Sequence, residues 1–375
     1  MATNFEILGR EDVNDIEAIL SVTNTDVDEV AHTIRSEQEA LFTWDYERSR
    51  PALVKLYEKA KTSQWNVTTD LDWSIEVDQA EVVLANINAN MDGRIADPEV
   101  LKGTAFESWT EDQWIQLGIE SQNWTLSQFL HGEQGALICT AQIVETVPWI
   151  DAKYYAATQV MDEARHVEVF ARYLDEKLSG HYPINAHLKM LLDDIISDSR
   201  WDMTYLGMQI MVEGLALAAF GFIHQLTTEP LLKKLLRYVM SDEARHVAFG
   251  VLSLQEYYKE LDTKEIRERQ EFAYEAAVRM RDRFLQQEVW DRMGVDVKEA
   301  LQLVIEDEGR KVFQSMLFSK IVPNCKKLGL LDAGDAWLRE RFTELGVIQF
   351  EDWVDTGAEY DELDEVAKDR AAASA

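Results

Sequence analysis

The sequence predicts an all-α protein, a four-helix bundle with additional N- and C-terminal helices. Three observations predict it. Six prolines and 17 glycines in 375 residues are too few for the frequent turns of an all-β chain. Apolar residues recur with helical spacing, as at Leu126, Phe129, Leu130, Leu137 and Val144. A hydrophobic content of 46% with 10% aromatics supplies a core and excludes a largely disordered chain. No clear linker divides the sequence, so residues 1–375 read as a single domain, with the bundle core at 110–260 and helical extensions at 1–109 and 261–375.

In order along the chain, Asp26 to Glu39 and Pro51 to Lys61 are expected as helices, the second opened by a first-turn proline. Asn66 to Glu76 is expected as a polar loop, and Val77 to Met91 as a helix stopped by Asp92-Gly93. After a turn-rich stretch from Asp97 to Ser108, Thr110 is placed to cap the helix that carries the Leu126 stripe, with Glu111 and Asp112 in its first turn. Pro148 ends that helix. Further helices fit Ile150 to Leu178, Ala186 to Asp198, Trp201 to Leu226, Leu231 to Leu261, Lys264 to Met293 and Val297 to Leu317. The acidic tail from Glu351 onward is assigned no role.

Acidic residues number 69 and basic residues 37, a formal charge of −32. A field of that sign repels phosphate backbones, so no nucleic-acid partner is expected, nor is binding as a basic protein to a membrane surface. Two cysteines, Cys139 and Cys325, exclude a disulfide framework and a Cys-rich metal site, and fit a reducing cytoplasm, where we expect the protein. Met1 to Arg10 shows no signal-peptide pattern. Leu206 to Ile223 is apolar enough to cross a bilayer, but Gln209 and Glu213 sit inside it. We expect a helix buried all round and no membrane span.

The chemistry lies in a repeat. Asp-Glu-Ala-Arg-His-Val occurs at 162–167 and again at 242–247. Glu133 precedes Glu163 by 30 residues, and Glu213 precedes Glu243 by 30. Every member of the first set recurs 80 residues later: Glu133 as Glu213, Glu163 as Glu243, His166 as His246. Glu and His at i and i+3 share one helix face. The midpoints of the two Glu–Glu intervals are residues 148 and 228, at Pro148 and inside Thr227 to Pro230. A chain that reverses there puts both acids of a pair at the same height on antiparallel helices, about 20 Å from the turn.

All six residues lie on apolar stripes, so four carboxylates and two imidazoles point into one core. Buried together, the acids must be protonated, paired or metal-bound. The duplicated histidines favour metal. Two Fe(II) ions, with Mn(II) or a mixed pair as alternatives, neutralise four carboxylates, and each takes one imidazole nitrogen. Zinc would call for more His or Cys.

At these residues, over about 130–255, the sequence resembles the ferritin-like carboxylate-bridged di-iron superfamily. The resemblance implies that Glu133, Glu163 and His166 serve one iron and Glu213, Glu243 and His246 the other, with Glu163 and Glu243 bridging. The Asp-Glu-x-Arg-His form is most similar to catalytic subunits of bacterial multicomponent monooxygenases and to the ribonucleotide reductase small subunit. It implies that Asp162 and Asp242 accept from the outer imidazole N–H groups and pair with Arg165 and Arg245.

The chain departs from each branch. Phe170 stands where the reductase subunit has its radical Tyr, so no tyrosyl radical is expected there. Leu217 stands where the soluble monooxygenases have a Thr, and Val239 where the arylamine N-oxygenases have an extra His. Ala136, Leu137, Phe170, Leu217 and Phe220 lie one or two turns from ligands and are the candidate walls of a dry pocket. The expected function is an O2-activating non-haem di-iron oxygenase acting on a small hydrophobic or aromatic substrate. Its partners would be O2 and an electron donor, a reductase or ferredoxin, and its assembly a homodimer. The alternatives are a di-iron oxidase or desaturase, and a ferroxidase. Eleven Trp and 12 Tyr are many, but such residues mostly pack, with electron relay the lesser reading.

Overall fold

A computed structural model of the chain describes residues 7–24, 27, 30–90, 101–353, 368, 369 and 372. Among these residues there are helices and no strand. In chain order they are α1 (Ile16–Leu20), α2 (Pro51–Thr62), α3 (Gln79–Asn90), α4 (Glu111–Thr146), α5 (Ile150–Lys177), α6 (Ala186–Ser197), α7 (Trp201–Leu226) and α8 (Pro230–Tyr257). The C-terminal part adds α9 (Thr263–Arg283), α10 (Gln287–Arg292), α11 (Val297–Glu306), α12 (Glu308–Met316), α13 (Ile321–Lys327) and α14 (Trp337–Glu344).

The chain reverses at residues 147–149, so α4 and α5 lie antiparallel and pack along each other; α7 and α8 do the same around residues 227–229. Pro230 opens α8 at a first-turn position, where its missing N–H costs nothing, and Glu229 caps it through Leu231 N and Leu232 N. Thr110 caps α4 in a reciprocal pair with Gln113. Helix α2 lies across α5 and α8. One apolar cluster fills the space between these helices and runs on through α9, α10 and α12 to α14, while α11 packs in two smaller clusters. Helix α7 is the one described helix long and apolar enough to cross a membrane. Its most apolar 18-residue window has mean hydropathy 1.7 and is 78% buried inside the protein.

The middle of α7 departs from α geometry. Leu206–Val212 is a π-helix, and the Glu213 N–H reaches back five residues to the Met208 carbonyl. Two glycines admit this wider turn against its neighbours. A Cβ at Gly207 would come within 2.5 Å of Ile195, and one at Gly250 within 2.6 Å of the Gln209 Cβ. Regular α-helix was the expectation here; the sequence carries no periodic sign of the inserted residue.

Three further expectations are corrected. Among the described residues of 26–39, those from 30 onward form no helix. Val27 and Val30 are exposed and Ile34 alone of the described apolar residues in 27–39 packs against the core, so the segment has no continuous apolar face to bury; it is held by Gln38 Nε2 donating to the Asp198 carbonyl (2.9 Å) and Leu41 N donating to Glu145 O (2.8 Å). The helix expected over Lys264 to Met293 breaks after Arg283, and Gln286 adopts a left-handed φ of 56°. Phe284 belongs to the main core while Leu285 packs in a separate cluster with Ile19 and Leu301; a continuous helix cannot serve both directions. The helix expected over Val297 to Leu317 breaks at Asp307, which is extended (φ −66°, ψ 124°). The Asp92-Gly93 stop, the start of the turn-rich stretch at Asp97 and most of the acidic tail lie outside the described residues.

Candidate metal centre

The structure brings all six duplicated residues into one buried cluster. Glu133 comes from α4, Glu163 and His166 from α5, Glu213 from α7 just after the π-helix, and Glu243 and His246 from α8. Their exposures run from 0% to 5%. The arrangement is nearly two-fold. Glu163 presents one oxygen to each imidazole, Oε1 at 3.1 Å from His246 Nδ1 and Oε2 at 3.4 Å from His166 Nδ1. Glu243 does the same in mirror fashion, Oε1 at 3.0 Å from His166 Nδ1 and Oε2 at 3.4 Å from His246 Nδ1. Glu133 Oε2 lies 3.1 Å from His166 Nδ1. Glu213 closes the other end beside Glu163 and His246.

Apart from the Glu133–His166 contact, proximity here is not hydrogen bonding. Glu163 Oε2, Glu213 Oε2, both Glu243 oxygens and His246 Nδ1 are buried with no hydrogen-bond partner in the structure. Lone pairs crowd together without being aligned on one another, as ligand atoms do around shared cations. The donors form two overlapping groups, Glu133–Glu163–His166–Glu243 and Glu163–Glu213–His246, with ligand atoms in each group within 4.8 Å of one another. Oxygen-rich donors with one imidazole per group suit Fe(II) or Mn(II). The residues present fit a metal pair.

Electrostatics agree. Without cations, burial and the neighbouring Glu243 charge push the Glu133 carboxyl up to about 8. Burial, with the charges of Glu163 and Glu243, pushes Glu213 well above the carboxylate range. Burial would raise Glu163 too, but His246 and His166 outweigh it and hold it low. Both imidazoles are raised well above their ordinary value, because the surrounding carboxylates outweigh burial. The metal-free cluster therefore retains protons, which cations would displace.

The outer imidazole nitrogens are held crosswise. His166 Nε2 is 3.1 Å from Asp242 Oδ2, and His246 Nε2 is 3.3 Å from Asp162 Oδ2, so each motif's aspartate holds the other motif's histidine. With Nε2–H directed at an aspartate, the Nδ1 lone pair faces the cluster. Arg165 Nη2 donates to Asp162 (2.6 Å) and Asp242 (2.8 Å), and Arg245 donates to Asp242. The two arginines tie both motifs together beneath the histidines.

Several residues at the site escaped the sequence reading. Trp65, just after α2, donates its indole N–H to Asp242 Oδ2 (2.8 Å), lies under the Arg165 guanidinium and stacks near His166. Gln64 donates to Asp162 (2.8 Å) and accepts from Arg165 (2.7 Å). Nothing in the repeat pointed to either. Gln159 donates to Glu163 Oε1 (2.9 Å) and Glu213 Oε1 (3.0 Å). Its place four residues before Glu163 was a legible signal. Cys139 is fully buried, and its thiol is held protonated by burial and by the charges of Glu213 and Glu163.

Of the pocket candidates, Ala136, Phe170, Leu217 and Phe220 are buried in the main core, and Leu137 is half-buried outside it. Phe170 and Phe220 pack with Phe129 ring on ring, at centroid distances of 4.6 to 5.9 Å. They form an apolar layer directly beside the ligands.

The helical bundle and its twinned Glu-x-x-His pairs define a helical protein with a carboxylate–histidine metal site. Among solved structures the chain is similar to a variant of an R2-like ligand-binding oxidase carrying an anaerobically reconstituted Mn/Fe cofactor. That match has TM-score 0.46 and 19% identity and covers 76% of this chain and 95% of that one. Another variant of such an oxidase, reconstituted aerobically, matches with TM-score 0.40 and 18% identity over 84% of this chain and 96% of the other. Both likenesses are remote. No known family's sequence profile and no curated protein matches the chain.

Proposed function

We propose that the protein is an O2-activating di-metal oxidoreductase that inserts oxygen into a hydrophobic or aromatic small molecule. The observation that supports it best is that Glu163 and Glu243 each turn one oxygen to each imidazole, with lone pairs left unpartnered in a buried core. A reduced iron or manganese pair, when bound, supplies electrons for O2 reduction.

The chain's own residues do the rest. Glu163 and Glu243 would hold both cations, and Glu133 and Glu213 one each. Asp242 and Asp162 orient the imidazoles through Nε2–H. Gln159 Nε2 ties Glu163 to Glu213 and limits how far either swings. The protons held by Glu133 and Glu213 in the metal-free cluster leave when cations bind. The Phe129–Phe170–Phe220 layer excludes water from one side of the site. Electrons from outside the chain are needed for each turnover, so a reductase or ferredoxin is the proposed partner.

The test loads the protein anaerobically with Fe(II) and mixes it with 18O2, with and without a panel of aromatic and aliphatic compounds. Labelled oxygen in one product, with O2 uptake that this compound stimulates, supports the reading. An unlabelled dehydrogenated product would make the chain a desaturase or oxidase. Ferric mineral that accumulates whatever the compound would make it a ferroxidase.

A further inference from the structure

A cleft of about 320 Å3 opens between α3, α4 and α7, and the C-terminal helices close its far side. Its place relative to the metal centre follows from helix register. Leu126 on α4 lies in its wall, three residues before Phe129 and seven before Glu133. Ile223 on α7 lies in the opposite wall, three residues after Phe220 and ten after Glu213. The bundle is thus layered: ligands, then the Phe129–Phe170–Phe220 rings, then the cleft. At the rise of an α-helix the cleft's inner end is about 10–15 Å from the ligands. Phe129 and Phe220, edge to face at 4.6 Å, form the partition.

The lining defines the chemistry of an occupant. None of the described residues that line the cleft is charged, in a chain of net charge −32. A cavity of similar size between α6 and α9 shows the contrast, with Asp194, Asp198, Glu268, Glu271 and Glu275 in its walls. Three rings form one side of the cleft, with Phe313 at 5.0 Å from Phe222 and 5.6 Å from Phe284. Gln286 stands in the wall in the left-handed conformation, a strained backbone for a residue other than glycine. Its amide accepts from Ser121 Oγ (2.9 Å) and donates to Thr125 Oγ1 (3.2 Å), which pins it against α4. The two hydrogen bonds hold this strained residue in the wall.

We propose that this cleft is the antechamber through which an uncharged aromatic molecule reaches the metal centre, with Phe129 and Phe220 as the gate. The inference rests on the oxygenase reading for its purpose, but the binding itself needs no metal. Aromatic rings favour an aromatic ligand by offset and edge-to-face packing, and the neutral lining leaves a charged one without a counter-ion. Ring rotation at Phe129 and Phe220 would join the cleft to the ligand layer.

The test titrates the full-length metal-free protein with 4-fluorotoluene, followed by 19F NMR. Wild-type protein should bind one equivalent saturably. Val82→Trp and Ile223→Trp, which fill the cleft from opposite walls, should each weaken binding at least tenfold. In wild-type protein loaded with Mn(II), the bound fluorine should be broadened to the degree expected at about 10–15 Å. Phe129→Ala should broaden it further by letting the probe advance. No saturable binding, or undiminished binding in both folded variants, overturns the inference. So does a bound fluorine that Mn(II) leaves sharp; this result decides the matter should a variant not fold. A chain that binds metal and consumes O2 but fails these tests loses only the antechamber. One that binds the probe but no metal loses only the oxygenase reading.

Discussion

At the scale of single residues, the site is a set of crossed dependencies. Asp242 precedes Glu243 in the chain, yet the imidazole it holds is His166, and Asp162 holds His246. Substituting Asp242 with Asn should therefore loosen chiefly the metal bound by His166, by about 10–100-fold, although the change is made in the second motif. A chelator-competition titration that resolves two binding steps measures it; equal weakening of both steps, or of the His246 step alone, contradicts the crossing. The variant should also lose stability, because two buried arginines share Asp242. His187 offers an independent prediction. It is buried, and burial with the Arg279 and Arg10 charges, opposed by Asp282, holds its pKa down at about 4. A base depressed in the folded state contributes stability that is complete above its unfolded value near 6.5 and falls as pH drops toward 4. The loss at the lower end should be about 3 kcal/mol. Urea unfolding of metal-free wild type and His187→Leu from pH 7 to 4 should show the wild type losing more stability over that window; parallel curves would exclude the assignment.

At the scale of elements, what could be read in advance was whatever repeats along one helix. The i, i+3 spacing of Glu163 with His166 and the turns near Pro148 and Thr227 to Pro230 follow from helical geometry, and the structure has α4–α5 and α7–α8 reversing there. Trp65 and Gln64 reach the centre from the end of a helix 177 and 98 residues away in sequence from the aspartates they hold, and no local pattern encodes such a meeting. The π-helix at Leu206–Val212 was equally silent, since an apolar run that is buried all round shows no period to shift. Glu213 is the first residue beyond it. Deleting Met208 removes the residue that the wider turn takes up, so regular α-helix should return with Glu213 still facing the cluster. Helicity by circular dichroism and two bound metals should both persist; loss of one metal would show that the π-turn itself, and not only the register beyond it, positions Glu213. The break at Phe284 to Gln286 has another origin: adjacent apolar residues serve two different clusters, a tertiary demand that overrides a good helical sequence.

At the scale of the whole molecule, a strongly acidic protein places four carboxylates at its centre and leaves them short of hydrogen-bond partners. Such a core is a poor way to stabilise a bundle and a good way to hold cations. Saturating metal, at about 100 times its dissociation constant, should add about 2.7 kcal/mol for each ion bound to the folded state alone. The core helices follow from apolar periodicity, and the cluster from the repeat. The aromatic partition and the neutral cleft beside it come from packing between helices that the repeat does not relate. The central claim is that two cations share Glu163 and Glu243, and one measurement tests it most directly. Protein loaded with Mn(II) under anaerobic conditions should contain about two Mn per chain by elemental analysis. Its electron paramagnetic resonance should be that of a spin-coupled pair, replaced in Glu163→Ala by loss of metal or by an uncoupled six-line signal. Wild-type protein that binds no more than one Mn(II), or binds two with the spectrum of isolated ions, would contradict the account.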